Sequence, residues 1–217
     1  MNKDVIEETP EIWGDDATTD SATVRENYDR FAGTGSYDET FDEWGYVAPV
    51  TAAALMRNYS PVAGSVLDAA CGSGLSGAAL ANLGYDHVTG VDISPKLLEL
   101  AEGTGAYERL ECVDMQDLPL PFSDDEFDAV SLIGALTYFE TTDILRELYR
   151  ITRSGGHIVF TQRDDIMRTQ DYASELDRME DEGRWHRVLG TEPMPYLPAH
   201  PEYGERIRVQ YFVYRVA

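Results

Sequence analysis

The chain of 217 residues carries 40 acidic and 17 basic side chains, which gives a formal net charge of -23 at pH 7. A surface of this sign repels nucleic acids and anionic membranes, because contacts to phosphate depend on Lys and Arg. We therefore expect neither nucleic acid nor a membrane as a partner. The length suits one α/β domain with a short cap, and two cysteines cannot form a disulfide framework.

The N-terminus has no apolar segment of the signal-peptide type, and no run approaches the ~20 apolar residues of a membrane-spanning helix. We therefore expect a cytoplasmic protein, as a monomer or a homodimer. Lysine occurs only at Lys3 and Lys96. Scarce lysine with abundant acid is typical of salt-adapted proteins, in which ions screen the self-repulsion. An ordinary acidic bacterial enzyme explains the composition equally well.

The first regular hydrophobic pattern begins near residue 21. Residues 1–20 are acidic and without period, which predicts a disordered tail. Val24, Tyr28 and Phe31 then recur at helical spacing. A second helix is predicted from Pro49, a residue that suits a first turn, through Ala52–Arg57. We expect residues 21–63 to form a helical cap.

Residues 64–217 alternate between short apolar segments and helical patterns, as expected for a cofactor-binding main domain. Five segments predict strands, at 65–69, 87–92, 110–113, 127–133 and 156–162. Helical patterns fall between them, at 74–83, 95–102 and 142–151. Such alternation favours a parallel sheet with helices on both faces. One more helix over 166–183 and an alternating strand over 206–216 complete the domain.

The first predicted strand runs into a glycine-rich turn, DAACGSG, at residues 68–74. A strand that ends in such a turn before a helix brings backbone N–H groups and the positive helix end against a ligand. The second predicted strand ends in Asp92, 18 residues after Gly74. A carboxylate in that position can accept hydrogen bonds from ribose hydroxyls. The pattern indicates a nucleotide-like cofactor, with a plain capped turn as the structural alternative.

Two cofactors are compatible with this turn. Residues 72–77 satisfy the G-x-G-x-x-G pattern of NAD-binding proteins, and Asp92 follows Gly72 by 20 residues. However, Asp68 would lie beside the two phosphates of NAD, whereas the sulfonium and amino groups of S-adenosylmethionine (SAM) favour nearby acids. Asp114, after the third strand, can accept from an adenine amino group, and a Tyr-x-x-x-Lys dehydrogenase pair is missing. SAM is favoured; an NAD-binding oxidoreductase and a non-catalytic SAM-binding protein remain alternatives.

Successive segments resemble the motifs of class I SAM-dependent methyltransferases: VLDAACGSG (66–74), GVDIS (90–94), CVDMQDLPLPFSDDEFDAV (112–130) and the Gly155-Gly156 turn. The resemblance covers roughly residues 64–162. It implies a Rossmann-like, seven-stranded, mostly parallel sheet and methyl transfer from SAM, with S-adenosylhomocysteine as product. We expect a small-molecule acceptor. Flanking segments resemble a subgroup whose vertebrate member is encoded in the Williams–Beuren chromosomal region, at 28–56, 160–167 and 182–185.

The resemblance also implies which residues bind the cofactor: Asp68, Ala70, Cys71, Gly72, Gly74, Asp92, Ile93, Asp114, Met115, Ile133 and Gly134. The family usually has glycine at the position of Ala70. A methyl group fits there if φ is negative, so we expect a tighter turn with binding retained. Cys71 lies near a predicted helix N-terminus, which would lower its pKa. Because methyl transfer needs no covalent intermediate, we expect it to be a packing residue.

Methyl transfer is an in-line displacement to which the cofactor brings the reactivity, so no catalytic triad is required and none is found. Candidates for the acceptor pocket are Tyr28, Tyr46, Tyr138 and Arg163, followed by Tyr37, Trp44, Asp164 and Asp165. The alternative for the aromatic residues is core packing. The alternative for Arg163 is a salt-bridged helix entry capped by Asp165. The four histidines show no ligand spacing, so no metal site is predicted.

Overall fold

The computed structural model describes residues 19–169 and 171–217. The tail predicted over residues 1–20 lies outside these ranges except for its last two residues. Within them, no helix has the length and apolar character needed to cross a lipid bilayer.

One sheet forms the centre of the molecule. Its strands are β1 Val66–Ala69, β2 Val88–Asp92, β3 Arg109–Cys112, β4 Phe127–Leu132, β5 Thr152–Arg163, β6 Trp185–Gly190, β7 Met194–Pro195 and β8 Arg208–Val216. Their spatial order is β3-β2-β1-β4-β5-β8-β6, and β7 pairs with β8 outside this path. The pairs from β3 to β5 are parallel, whereas β8 is antiparallel to β5, β6 and β7. The predicted seven-stranded, mostly parallel sheet is confirmed, with β7 as a short addition.

Helices surround this sheet. They are α1 Ser21–Ala32, α2 Tyr37–Glu43, α3 Ala48–Tyr59, α4 Leu75–Asn82, α5 Pro95–Gly103, α6 Asp143–Ile151, α7 Asp164–Thr169 and α8 Tyr172–Asp181, with a 3-10 helix at Leu136–Tyr138. The helix predicted over 166–183 is in fact two helices, α7 and α8. Nothing in the hydrophobic pattern predicts α2, because its seven residues are too few to show a helical period.

Two helices that border the functional site begin at side-chain caps. The Asp20 carboxylate accepts a hydrogen bond from the Thr23 backbone N–H at the start of α1 (2.9 Å). At the start of α5, Ser94 Oγ accepts from the Leu97 N–H (3.1 Å), and Pro95 occupies the first helical position. Such caps satisfy N–H groups that have no partner within the helix. The predicted Ser94 cap therefore starts α5 directly after β2.

Two apolar clusters fill the two faces of the sheet. Successive residues of a strand point to opposite faces, and in β5 Val159 belongs to one cluster whereas Ile158 and Phe160 belong to the other. The first cluster also contains Met56 of α3 and Leu80 of α4, and the second contains the apolar sides of α6 and α8. Helices therefore pack on both faces, as predicted.

Candidate cofactor and acceptor site

A cavity opens at the carboxyl ends of β1, β2 and β4, beneath α1 and α2. Ligands of open α/β sheets bind where the strand order reverses, and here the chain passes from β1 to β2 on one side and returns to β4 on the other. The cavity therefore lies where open α/β sheets bind their ligands. It encloses about 950 Å³, counting its open mouth.

The glycine-rich turn after β1 forms part of the cavity floor. The Cys71 N–H donates to the Val91 carbonyl of β2 (2.9 Å). Gly72 and Gly74 have φ values of 57° and 97°, in the left-handed region that favours glycine. A Cβ at Gly74 would lie 3.0 Å from Thr104 Cγ2. The glycines therefore allow the turn to pack tightly against the residues around the end of α5.

Ala70 corrects one expectation. Its φ is 55°, so the negative φ expected for a residue with a methyl group is wrong. Ala70 directly follows β1, and the next residue, Cys71, still donates its N–H to the Val91 carbonyl of β2. The left-handed conformation costs about 1–2 kcal/mol for a residue with a Cβ. Ala70 nevertheless lines the cavity.

Asp92 joins the turn to the start of α5. One carboxylate oxygen accepts from the Gly72 N–H (2.9 Å) and the other from the Ser94 N–H (2.8 Å). The side chain is 7% exposed and lines the cavity. Burial raises the pKa of Asp92 to about 6, although the backbone N–H donors favour the ionised form. Each oxygen keeps a further lone pair, so the carboxylate can also accept from ligand hydroxyls.

Asp68 lies beneath the turn and is 1% exposed. Its oxygens accept from the Tyr107 hydroxyl (2.8 Å) and the Ser131 hydroxyl (2.9 Å). The Tyr107 hydroxyl in turn accepts from the Gly77 N–H of α4 (3.1 Å). Burial raises the pKa of Asp68 to about 6. Neither Asp68 nor Gly74 belongs to the cavity wall, so a direct contact to the cofactor stays a prediction for both.

The other predicted cofactor residues come together around the cavity: Ala70, Cys71, Gly72, Asp92, Ile93, Asp114, Met115, Ile133 and Gly134. The predicted pKa shift of Cys71 is wrong in direction. Burial, together with the charges of Asp68 and Asp92, raises the pKa of its thiol well above the usual value. A buried thiol with a raised pKa is a poor nucleophile, which agrees with the expected packing role.

Five tyrosines, which we call the tyrosine group, line the cavity: Tyr28, Tyr37, Tyr46, Tyr138 and Tyr196. All but Tyr196 are predicted acceptor-pocket residues, and we call this part of the wall the acceptor side. The Tyr28 hydroxyl donates to that of Tyr138 (2.9 Å), and the Tyr196 hydroxyl donates to that of Tyr46 (3.3 Å). Burial raises the phenol pKa of Tyr28, Tyr37, Tyr46 and Tyr196. These phenols therefore stay neutral near pH 7 and act as hydrogen-bonding groups.

Sequence reasoning did not identify Tyr196. It follows β7 in an irregular proline-rich loop that has no period from which its direction could be predicted. The signal lies instead in Gly134, whose φ is 75° and where a Cβ would collide with the Tyr196 hydroxyl. A glycine is therefore required after β4 because a phenol approaches its backbone.

Four candidates for the acceptor pocket do not line the main cavity: Trp44, Arg163, Asp164 and Asp165. Trp44 is buried between Phe41 and His200, with ring centroids 5.8 and 4.5 Å away, which agrees with core packing. Arg163 lines a smaller cavity next to the main one. Its Nε and Nη2 atoms contact the two Asp165 oxygens at 3.1 and 2.7 Å. The predicted ion pair is present, but Asp165 lies inside the first turn of α7 rather than at its cap.

Side-chain contacts fasten the first two helices to the cavity rim. The Ser94 hydroxyl donates to Asp29 of α1 (2.6 Å). The Ser73 hydroxyl, in the glycine-rich turn, donates to Asp38 of α2 (2.5 Å). Through these bonds α1 and α2 are joined directly to the loops that follow β2 and β1.

The charges of the cavity fit SAM better than NAD. Among the described residues that line it, Asp92 and Asp114 carry charge, and no Lys, Arg or His does so. The pyrophosphate of NAD would bring two negative charges towards these carboxylates, whereas SAM brings a sulfonium and an ammonium group. The apolar side chains of Ile93 and Met115 can cover a flat adenine ring.

The sequence is similar to known methyltransferases. A family model described as "Methyltransferase domain" matches residues 67–160. The chain is 34% identical over 169 residues to human methyltransferase-like protein 27, covering 75% of this chain and 68% of that protein. It is 41% identical over 112 residues to demethylmenaquinone methyltransferase of Clavibacter sepedonicus, covering 50% of this chain and 45% of that enzyme.

A solved structure shares the fold. It is a methyltransferase of Haloferax volcanii in complex with the Trm112 methyltransferase activator, with a TM-score of 0.63 and 19% identity over 87% of this chain and 97% of that chain. The fold, the glycine-rich turn, the acid at the end of β2 and the sequence relatives lead to one family, and the NAD-binding alternative is set aside. The chain belongs to the class I SAM-dependent methyltransferases.

Proposed function

We propose that this enzyme transfers the methyl group of SAM to a small organic acceptor that enters beneath α1 and α2. The observation that carries the proposal is the hydrogen bond between the Tyr28 and Tyr138 hydroxyls. It joins the first helix to the loop after β4 and covers the acceptor side of the cavity. A covered pocket favours an acceptor that can be enclosed over one that presents a large folded surface.

Cofactor binding is assigned to the strand ends. Asp92 would accept hydrogen bonds from the ribose hydroxyls, and Ile93 and Met115 would contact the adenine, next to Asp114. The backbone of the turn at Gly72 would face the methionine end. When bound, SAM supplies an electrophilic methyl group on a sulfonium.

The residues of the chain contribute positioning and exclusion of water. Holding the acceptor in line with the methyl group can supply ~7–11 kcal/mol of the barrier. Within the described lining, the carboxyls of Asp92 and Asp114 are assigned to the cofactor. Burial raises the pKa of the phenols of Tyr28, Tyr37, Tyr46 and Tyr196, which therefore stay protonated. We therefore infer that the acceptor atom reacts without a dedicated general base, as a nucleophile already unprotonated when it enters.

We also propose a subgroup and a cellular compartment for the enzyme. The resemblance of residues 28–56, 160–167 and 182–185 to the Williams–Beuren type subgroup supports assignment to that subgroup. The net charge of -23 supports a protein that acts away from nucleic acids and anionic membranes. We propose a cytoplasmic enzyme on these grounds.

Transfer of labelled methyl groups tests the proposal. The enzyme and methyl-labelled SAM are incubated in three separate reactions. One contains an ultrafiltrate of small metabolites, one a lipid extract and one a protein fraction. We expect label in the metabolite ultrafiltrate and its loss in Asp92→Ala. Label found only in the lipid or protein fraction would contradict a small soluble acceptor.

A further inference from the structure

We infer that the smaller cavity beside the tyrosine group is a subsite for a neutral carbonyl oxygen of the acceptor, which would accept a hydrogen bond from the Gln162 side-chain amide. The inference rests on the proposed function, because it describes one end of the acceptor. The smaller cavity encloses about 300 Å³, counting its open mouth. It shares Gly134, Tyr138 and Tyr196 with the main cavity. These residues lie at the boundary between the two cavities, and an acceptor group that passes this boundary would reach Gln162.

Gln162 is held in one orientation by its neighbours. Its Oε1 accepts from the Arg163 backbone N–H (2.8 Å) and, at longer range, from the Thr137 hydroxyl (3.5 Å). Because the oxygen is used in this way, the Nε2 donors are fixed at the other end of the amide. The side chain lies on β5 at the carboxyl end of the sheet, where it lines the smaller cavity.

The Nε2 group of Gln162 is buried without a hydrogen-bond partner in the part of the chain that the structure describes. The residue is 2% exposed. A buried donor left in this state destabilises the fold, so such groups normally have a partner from the protein or an ordered water. The cavity in front of Gln162 is therefore a place where a ligand oxygen gains a hydrogen bond.

Local charge favours a neutral oxygen over a carboxylate. Arg163 lines the same cavity, but its guanidinium contacts both oxygens of Asp165. The positive charge is thereby largely balanced. The Thr161 hydroxyl accepts from the Gly134 N–H (2.8 Å) and is oriented by it. The polar groups of the subsite thus present an amide donor without net positive charge, which matches a ketone, ester or amide carbonyl.

Matched probes test the subsite. Acetophenone and ethylbenzene differ by one carbonyl, and benzoate adds a carboxylate to the same ring. Their binding to the full chain saturated with S-adenosylhomocysteine is measured by ligand-observed NMR. We expect acetophenone to bind about tenfold more tightly than ethylbenzene, in proportion to one hydrogen bond, and benzoate to bind no more tightly than acetophenone.

Gln162→Glu provides the decisive variant. It keeps an oxygen for the Arg163 N–H but replaces the donor with a carboxylate oxygen, so the preference for acetophenone should disappear. Gln210→Glu is the matched control. Gln210 is the cross-strand neighbour of Gln162 on β8, and its amide already donates to the Thr191 carbonyl (2.9 Å). This control should keep the preference, and unchanged S-adenosylhomocysteine binding will show that both variants are folded.

The outcomes separate the two proposals. An equal affinity for acetophenone and ethylbenzene in the unmodified enzyme would mean that Gln162 holds a water molecule, and would overturn the subsite. An unchanged preference in Gln162→Glu, or tighter binding of benzoate, would also overturn it. Labelled methyl groups found only in lipid or protein would instead overturn the small-molecule function, and the probe measurements do not depend on that result.

Discussion

The cofactor side and the acceptor side of the cavity are held together by different kinds of hydrogen bond. On the cofactor side, carboxylates bind backbone N–H groups of neighbouring loops, as Asp92 does with Gly72 and Ser94. On the acceptor side, hydroxyls bind one another across long stretches of sequence, as Tyr28 does with Tyr138. The first arrangement is part of the sheet scaffold. The second is a cover whose pieces meet only in the folded protein.

This difference indicates which part of the site is rigid and which part determines specificity for the acceptor. Charge-assisted hydrogen bonds to backbone donors are about twice as strong as neutral ones, so the cofactor side is the firmer of the two. Neutral phenol contacts each contribute about 0.5–1.5 kcal/mol. The phenol contacts can therefore break to admit an acceptor, while the Asp29 and Asp38 carboxylates still hold α1 and α2 to the cofactor loops.

The largest expected effect is on protein stability and concerns Asp68, on the cofactor side. Burial raises its pKa from 3.8 to about 6, so the folded protein keeps a proton that the unfolded chain releases between these values. The stability from the protonated carboxyl is present below about pH 4 and is lost as pH rises through about 6, by about 3 kcal/mol. Asp68→Asn should lack this part of the loss, whereas Asp92, whose pKa burial also raises to about 6, should keep its own part in both proteins. Urea unfolding of both proteins across this range measures the difference.

An exposed aspartate supplies the control for that experiment. Asp117 is exposed, and Asp117→Asn should keep the pH dependence of the unmodified enzyme. Parallel stability curves for Asp68→Asn and the unmodified enzyme would mean that the buried carboxyl does not titrate in this window, and the contrast between the two sides would lose its electrostatic basis.

Asp92 tests the same side through the cofactor. Asp92→Ala removes the acceptor for two backbone N–H groups and for the ribose hydroxyls. We expect SAM and S-adenosylhomocysteine to bind more weakly by about 1.5–3 kcal/mol, as for hydrogen bonds to a charged group. Calorimetry measures the loss of affinity. The affinity of Asp92→Asn, which retains one carbonyl oxygen, should lie between those of the unmodified enzyme and Asp92→Ala. Equal affinities in all three proteins would remove Asp92 from the cofactor site.

Tyr28 tests the cover. Tyr28→Phe removes one neutral hydrogen bond and keeps the ring, so methyl transfer should fall by up to about tenfold. S-adenosylhomocysteine affinity should change by less than about twofold. Tyr59→Phe, at a partly exposed tyrosine on α3, should change neither. A loss of cofactor affinity equal to the loss of transfer would place Tyr28 in the cofactor site and erase the division between the sides.

The same division explains what could be predicted from sequence. Local sequence patterns predict the sheet and two parts of the site. The glycine-rich turn directly follows β1, and Asp92 is the last residue of β2. Tyr107 and Tyr196 could not be predicted, because they reach the site from loops whose direction no periodicity determines. β6 escaped prediction since it is an edge strand in which Trp185 alone is buried. The positive φ of Ala70 depends on the packing of the whole turn.

Hydrogen exchange gives the smallest expected effect and examines the link between the two sides. Segments held by few strong contacts lie at the low-stability end of a fold. We expect α1 and α2 to exchange faster than β1 and β4 in the free enzyme and to gain several-fold protection when S-adenosylhomocysteine binds. The hydrogen bond from Ser73 to Asp38 carries this coupling, because Ser73 lies in the cofactor turn and Asp38 on α2.

Asp38→Ala should therefore reduce the gain in protection of α2 without altering that of β1. Asp42→Ala is the matched control, since Asp42 is an exposed aspartate on the same helix. If α1 and α2 show equal protection with and without ligand, the cover is a fixed wall. Acceptor access would then depend on side-chain rotation within the tyrosine group, and the weakness of the phenol contacts would serve selectivity rather than opening.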